Sequence, residues 1–288
     1  MTPIIIGESV RGDSHIRQDV ERQDNYLIID EDHPHDRTSA FYNDISSDIK
    51  IIAVADGHGS EACPYSKTGS QTAVNVFCDT MAEFASTYKN NMEDLFVSLN
   101  REGETTRLSK WIVSTWENRI LAVHAMNHRP APKLPNGDYD AEAIWKQYGT
   151  TLLGMLVTKE FIFCFQLGDG DITYIDANRV CPAIEGDKIL GVETHSISKR
   201  SSWQKALTRV IPIDKQASKP FMYTISTDGW INSHASEEDF HKTCYDYLTL
   251  ISERGISVVK DNLESWLSET SKLGCGDDIT VVIVYFDK

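Results

Sequence analysis

Residues 51–60 read Ile51-Ile52-Ala53-Val54-Ala55-Asp56-Gly57-His58-Gly59-Ser60. The apolar run is short and rich in β-branched residues, which predicts a buried strand. Asp56 stands where that strand ends, and Gly57 and Gly59 leave the backbone beyond it uncrowded. A strand end is a rigid support, and the loop after it is open, so a reactive group can be presented there. With no Cβ at position 57, a main-chain carbonyl can approach the same ligand as Asp56.

Upstream, Tyr26 to Asp30 reads as a strand, and residues 31–48 as a polar hairpin excursion. Downstream, Ala73, Val76, Phe77, Met81 and Phe84 recur at helical spacing. A second helix is expected over Asn91 to Asn127, broken near Gly103. Residues 128–140 carry Pro130, Pro132, Pro135 and Asn136-Gly137, a loop composition. Thr150–Val157, Phe161–Leu167 and Asp171–Asp176 read as three consecutive strands of an antiparallel meander. Residues 178–220 are polar and show no clear period. Met222–Ser226 is a further strand, followed by helices near Glu237–Ile251 and Ser257–Ser268 and a last strand, Ile279–Phe286. Strands and helices come in blocks, which favours an α+β fold of antiparallel sheets flanked by helices over a doubly wound sheet. One domain over residues 1–288 is expected, with a flap-like insertion at about 178–220.

The 28 basic and 43 acidic residues leave a formal charge of −15, which argues against a nucleic-acid surface. The six cysteines form no C-x-x-C pair and no framework spacing, consistent with reduced thiols. No apolar run approaches the roughly 20 residues of a membrane span, and Ile4-Ile5-Ile6 lacks the basic flank of a signal peptide. The expectation is a cytoplasmic monomer that binds neither membrane nor nucleic acid.

Asp56-Gly57 is not alone. Asp169-Gly170 and Asp228-Gly229 also follow apolar runs, Gly276-Asp277 precedes one, and Asp24 lies just ahead of another. If the sheets stack, strand ends gather these carboxylates at one edge. Like charges there cannot all stay ionised without cations. An oxygen-only set without paired His or Cys suits magnesium or manganese, not zinc.

Asp56-Gly57-His58-Gly59, Tyr148-Gly149-Thr150-Thr151, Gly168-Asp169-Gly170, Ser226-Thr227-Asp228-Gly229 and Asp277-Asp278-Ile279-Thr280 resemble, in order, the motifs of the type 2C metal-dependent protein serine/threonine phosphatases. Gly12-x-Ser14-His15 and Gln23-Asp24 are similar to the bacterial branch of that family. The resemblance implies a four-layer α-β-β-α sandwich of two mainly antiparallel sheets. It also implies hydrolysis of phosphoserine and phosphothreonine in proteins by a metal-activated water, with a cognate Ser/Thr kinase as a further partner. By the same resemblance Asp56 bridges two Mn2+ or Mg2+ ions and Gly57 lends its carbonyl to one. Asp228 and Asp277 complete the first ion, Asp24 acts on the second, Asp169 on a looser third, and His58 is the general acid.

Three positions depart from the family pattern. Gln23 stands where many members have Glu, and Asp278 where many have Asn. The phosphate-binding Arg five residues before the Asp24 position is here Asp19, with Arg17 or Arg22 as substitutes. A catalytically weak module that binds phosphoproteins in a regulatory role is the alternative function.

Other chemistries fail on spacing. Gly57-x-Gly59-x-x-Ala62 mimics a dinucleotide fingerprint, but helix follows where its second strand is needed. A calcium loop opening at Asp169 would need Glu at its twelfth position, which is Val180. No cysteine is followed six residues later by Arg, so thiolate phosphatase chemistry is excluded. Residues 179–219 hold eight basic and four acidic side chains, a net +4 on an acidic chain, and suggest a basic flap beside the metal edge. Trp203 within it is read as an anchor to the core.

Overall fold

Ile51, Ala53 and Ala55 point to one side of their strand, and Ile52 and Val54 to the other; all five are fully buried. A strand covered on both faces loses the polar alternation of a one-sided sheet, which is why the run is apolar throughout. The computed structural model describes residues 2–33, 42, 46–89, 91–185, 195–214 and 219–287. Most of the expected 31–48 excursion lies outside the described residues.

Ten strands form two sheets among the described residues. Sheet one contains β1 (Ile4–Val10), β10 (Ile279–Phe286), β9 (Phe221–Ser226), β6 (Asp171–Ile175) and β7 (Val180–Pro182), in that order. Sheet two contains β2 (Asn25–Ile29), β3 (Lys50–Ala55), β4 (Leu152–Val157), β5 (Phe161–Leu167) and β8 (Leu207–Pro212). All neighbouring pairs are antiparallel. Between the sheets lie Ile52, Val54, Leu153, Met155, Ile225, Val282 and Val284.

A short helix, α1 (Asp13–Gln18), follows β1. Against the outer face of sheet two pack α2 (Ser66–Ser86), α3 (Met92–Leu99) and α4 (Glu102–Met126), with Phe77, Met81, Ile112 and Trp116 fully buried. After α5 (Ala141–Lys146), the outer face of sheet one is covered by α6 (Asp228–Asn232), α7 (Glu237–Arg254) and α8 (Ile256–Leu273) through Trp230, Phe240, Leu263 and Leu267. The result is the expected four-layer α-β-β-α sandwich. The helix anticipated over 91–127 breaks at Asn100-Arg101, just ahead of Gly103.

Two expectations need correction. The three consecutive strands are not one meander: β4 and β5 pair in sheet two, while β6 pairs with β9 in sheet one. The chain changes sheets at Gly168, whose φ of +127° is open to glycine and strained for other residues. Residues 178–220 also hold strands, β7 and the edge strand β8. β8 is only partly buried and ends in Pro212, as edge strands do, so it carries no apolar alternation to read.

Candidate metal centre

Strand register alone assembles the site. In sheet two, Asn25 faces Ala55 and Val54 faces Leu153, so Asp24, Asp56 and Thr150-Thr151 emerge at one edge. In sheet one, Ser226 faces both Val281 and Asp171, and Val10 faces Ile279. Thr227-Asp228, Asp277-Asp278, Asp171 and Gly12 therefore leave their strands together. Strands from both sheets thus bring six carboxylates to one end of the sandwich.

Asp56 is fixed through its backbone. Its N–H donates to Thr151 Oγ1 (3.0 Å), and its carbonyl accepts from Thr151 N (2.8 Å) and Thr150 Oγ1 (2.6 Å). Its carboxyl shares a hydrogen bond with Asp228 and feels Asp24, Asp228 and Asp277. Burial first, and then those neighbours, push it well above the usual carboxylate range. Burial and the charges of Asp169 and Asp277 raise Asp228 to about 6. Asp24 is 1% exposed; burial and Asp278 raise it to about 8, although Thr227 and Thr280 donate to its Oδ2 at 2.7 and 2.8 Å. Three carboxyls displaced in this way mark a cluster that a cation would stabilise.

Among the described residues, no group of three or more His, Cys, Asp or Glu side chains is placed to hold a metal ion by itself. Magnesium and manganese do not need one, since they keep several waters and take a few carboxylates and carbonyls. The buried Gln23 Oε1 has no hydrogen-bond partner and packs so closely on Gly59 (φ +59°) that a Cβ there would collide with it. An orphaned acceptor beside oxygen-only donors fits a hydrated divalent ion. The residues present fit the metals expected from the sequence.

The remaining predicted residues divide. Gly57 is buried and bridges to Thr150, and its neighbour His58 is partly buried, with its N–H on Gly149 O at 3.1 Å. Burial lowers the His58 pKa against the pull of Asp169, with Lys199 adding to the lowering. Asp169 is exposed and Asp277 half-exposed. Arg17 and Arg22 are not brought to the cluster by their contacts. Arg17 is exposed and binds Asp13 at 3.0 Å, and Arg22 donates to the carbonyl of Ser9.

Sequence reasoning quoted His15 and Asp278 within their motifs but gave neither a role in the site. Asp278 is 3% exposed and accepts from Gly12 N (2.7 Å) and Gln23 N (2.6 Å), with His15 Nδ1 at 2.8 Å. It holds the Gln23-Asp24 backbone against the start of β10. The sequence signals were the Gly12-x-Ser14-His15 motif and the carboxylate standing where an amide is usual.

A family model described as protein phosphatase 2C matches residues 11–268. No curated protein matches the chain significantly. Among solved structures, the serine/threonine phosphatase Stp1 from Staphylococcus aureus superposes with a TM-score of 0.59 at 12% identity, covering 100% of this chain and 96% of that one. The Mycobacterium tuberculosis serine/threonine phosphatase PstP/Ppp gives 0.57 at 11%, covering 100% of both chains. The catalytic domain of PstP in complex with 2 manganese ions gives 0.56 at 12%, covering 99% of each chain. These likenesses establish the shared fold.

Proposed function

The chain belongs to the protein phosphatase 2C family, and from that premise we propose that it hydrolyses phosphoserine and phosphothreonine in proteins with Mn2+ or Mg2+. The observation that carries the proposal is the register of both sheets, which brings Asp24, Asp56, Asp228 and Asp277 to one edge of the sandwich.

Asp56, the Gly57 carbonyl, Asp228 and Asp277 would hold the ions, with Asp24 acting on one of them and Asp169 on a looser third. When bound, such ions lower the pKa of a water and offset the charge of the phosphoryl oxygens. The chain's own groups set the rest. Thr150 and Thr151 lock the Asp56 backbone at the strand end, which fixes where its side chain starts. His58 is held toward its neutral form by burial, and a dianionic phosphate nearby favours its imidazolium. In that form it would give its proton to the leaving serine or threonine oxygen. The P–O bond to the side chain breaks, water supplies the new oxygen, and alcohol and inorganic phosphate leave.

The domain is read as one catalytic unit acting as a monomer on phosphoproteins, and a Ser/Thr kinase would supply the substrate. Among the described residues no helix is long and apolar enough to cross a membrane. The test is turnover of a phosphothreonine peptide with manganese, with magnesium and with a chelator. Turnover should need the metal and stop in the chelator. Full turnover in the chelator, or peptide binding without turnover, would overturn the reading.

A further inference from the structure

Asp278 is buried beside the proposed ligands, and both of its oxygens are engaged. Oδ1 accepts from Gly12 N (2.7 Å) and stands 2.8 Å from His15 Nδ1, while Oδ2 accepts from Gln23 N (2.6 Å). Facing a carboxylate, the ring nitrogen carries the hydrogen and donates. Three donors on two oxygens suit a carboxylate, whereas an amide would turn its own NH2 group toward one of them. These bonds reach two of the proposed ligands, since Gln23 leads into Asp24 and Asp278 directly follows Asp277.

The Gly12-x-Ser14-His15 stretch delivers the ring to this place. A Cβ at Gly12 would collide with Gly276 O and the Asp277 backbone, so glycine lets the chain pass this close. Ser14 N (2.9 Å) and Ser14 Oγ (2.6 Å) both donate to Gly276 O. Asp13 N donates to Ser271 Oγ (3.1 Å), which in turn donates to Asp277 O (2.8 Å). The start of α1 is thereby tied along residues 276–278, and the His15 side chain, 19% exposed, meets two carboxylates there. Nδ1 is on Asp278, and Nε2 is 3.8 Å from Asp277 Oδ1. That same Oδ1 accepts from Asp278 N (2.8 Å).

We propose that His15 is a positioning residue for the divalent ions, acting through Asp278 on the Asp24 backbone and directly beside the Asp277 carboxylate. This rests on the metal centre of the phosphatase reading and deepens it. His15 sets how tightly the ions are held and takes no part in the chemical step. Groups that orient metal ligands in this way are typically worth about 10- to 100-fold in metal affinity.

The test compares wild type, His15→Leu and His15→Asn, with His241→Leu as control. Asparagine Nδ2 can replace the Nδ1–H donor, and leucine cannot. His241 stands 3.7 Å from Glu237 on α7 and lines a groove with Arg179 and Val180, past the end of β6 opposite Asp171. Calorimetry without substrate gives the affinity and stoichiometry of manganese, and a phosphothreonine peptide gives kcat and the manganese concentration for half-maximal turnover. His15→Leu should weaken manganese binding and raise that concentration by about 10- to 100-fold, with stoichiometry and kcat at saturating manganese close to wild type. His15→Asn should recover most of the affinity, and the control should match wild type. A merely structural loss would lower the fraction of protein that binds, not the affinity of what remains. Unchanged affinity in His15→Leu, no recovery in His15→Asn, or lost turnover that saturating manganese does not restore would overturn the proposal. Should His15→Leu fail to fold, His15→Gln, which stays polar but moves its donor further out, takes its place under the same criteria. If wild type turns over peptide and His15→Leu binds manganese equally, only this proposal falls. If wild type binds manganese without turnover, the phosphatase reading falls, and calorimetry still decides His15. Wild type that binds no manganese would overturn both.

Discussion

Asp24, Asp56 and Asp228 stand at the ends of strands whose register is set by continuous ladders in two sheets, with fully buried side chains behind them. His15 and Asp169 are carried outside the strands, one on the short helix tied to Gly276 and the other at the switch between sheets. The acidic half of the site is therefore positioned by the core itself. The outer half depends on a few hydrogen bonds laid over that core. Changes in the first half should abolish chemistry, and changes in the second should shift affinities.

The largest expected effect tests the acidic half. Asp56→Asn, or Asp228→Asn, keeps the shape and removes one negative charge from the shared pair. Turnover of a phosphothreonine peptide should fall by roughly three orders of magnitude, in line with losing metal-supplied activation. The circular dichroism spectrum should not change. A variant retaining more than a tenth of wild-type turnover would remove the pair from the centre of the mechanism.

The two halves also differ in how well the sequence displays them. An apolar run closing on Asp-Gly is a local pattern, so Asp56 and Asp228 can be found residue by residue. β10 is likewise legible, because its apolar run is buried on both faces. Ser196 and Ile197 lie in a stretch without periodicity, and their partner across the seam is Thr150, some fifty positions away. No local signal records that pairing. β8 was hidden for the same reason: an edge strand half-open to solvent has no alternation to show. His15 and Asp278 meet only because β1 and β10 pair, joining residues more than two hundred and fifty positions apart.

A second effect concerns protons at the acidic half. Asp24 and Asp228 are raised from 3.8 to about 8 and about 6 in the folded protein, and Asp56 is raised as well. The unfolded chain gives up these protons at lower pH, so between about pH 4 and 8 the folded state binds more of them. Metal-free protein should therefore lose stability as pH rises through that window. Divalent ions replace the protons, so saturating manganese, worth ~3 kcal/mol at a hundredfold excess over its dissociation constant, should raise the melting temperature more at about pH 8 than at about pH 5.5. Melting curves in chelator and in manganese at the two pH values give the answer. A metal-free protein that grows more stable toward pH 8 would contradict the proposed proton sharing.

Thr150 joins Asp56 to the turn that holds Ser196 and Ile197, so Thr150→Val probes the seam. The substitution removes the hydroxyl that donates to the Asp56 carbonyl at a fully buried position. Thr151 N still serves that carbonyl, so the cost should be about 1–3 kcal/mol of stability in urea unfolding. If the acidic half rests on this seam as well as on its strands, manganese affinity should weaken too. A stability loss with manganese affinity intact would show that the strands alone position it.

The smallest effect is expected at Asp169, which belongs to the outer half but faces the acidic one. Its charge raises Asp228 and favours the protonated form of His58, yet its side chain is exposed and stands outside the Asp56–Asp228 pair. Asp169→Ala removes one repulsion from Asp228 and one attraction from His58, and these act in opposite directions on activity. Two tight ions should remain, because Asp56, Asp228 and Asp277 are untouched. The looser third ion should weaken, so the manganese concentration for half-maximal turnover should rise by several-fold, on the order of the ~1 kcal/mol that an exposed charge contributes. Calorimetric titration with manganese separates the cases. Two sites of wild-type affinity with a shifted activity curve would keep Asp169 on the outer side. Loss of a tight site would move it into the acidic half and erase the division drawn between them.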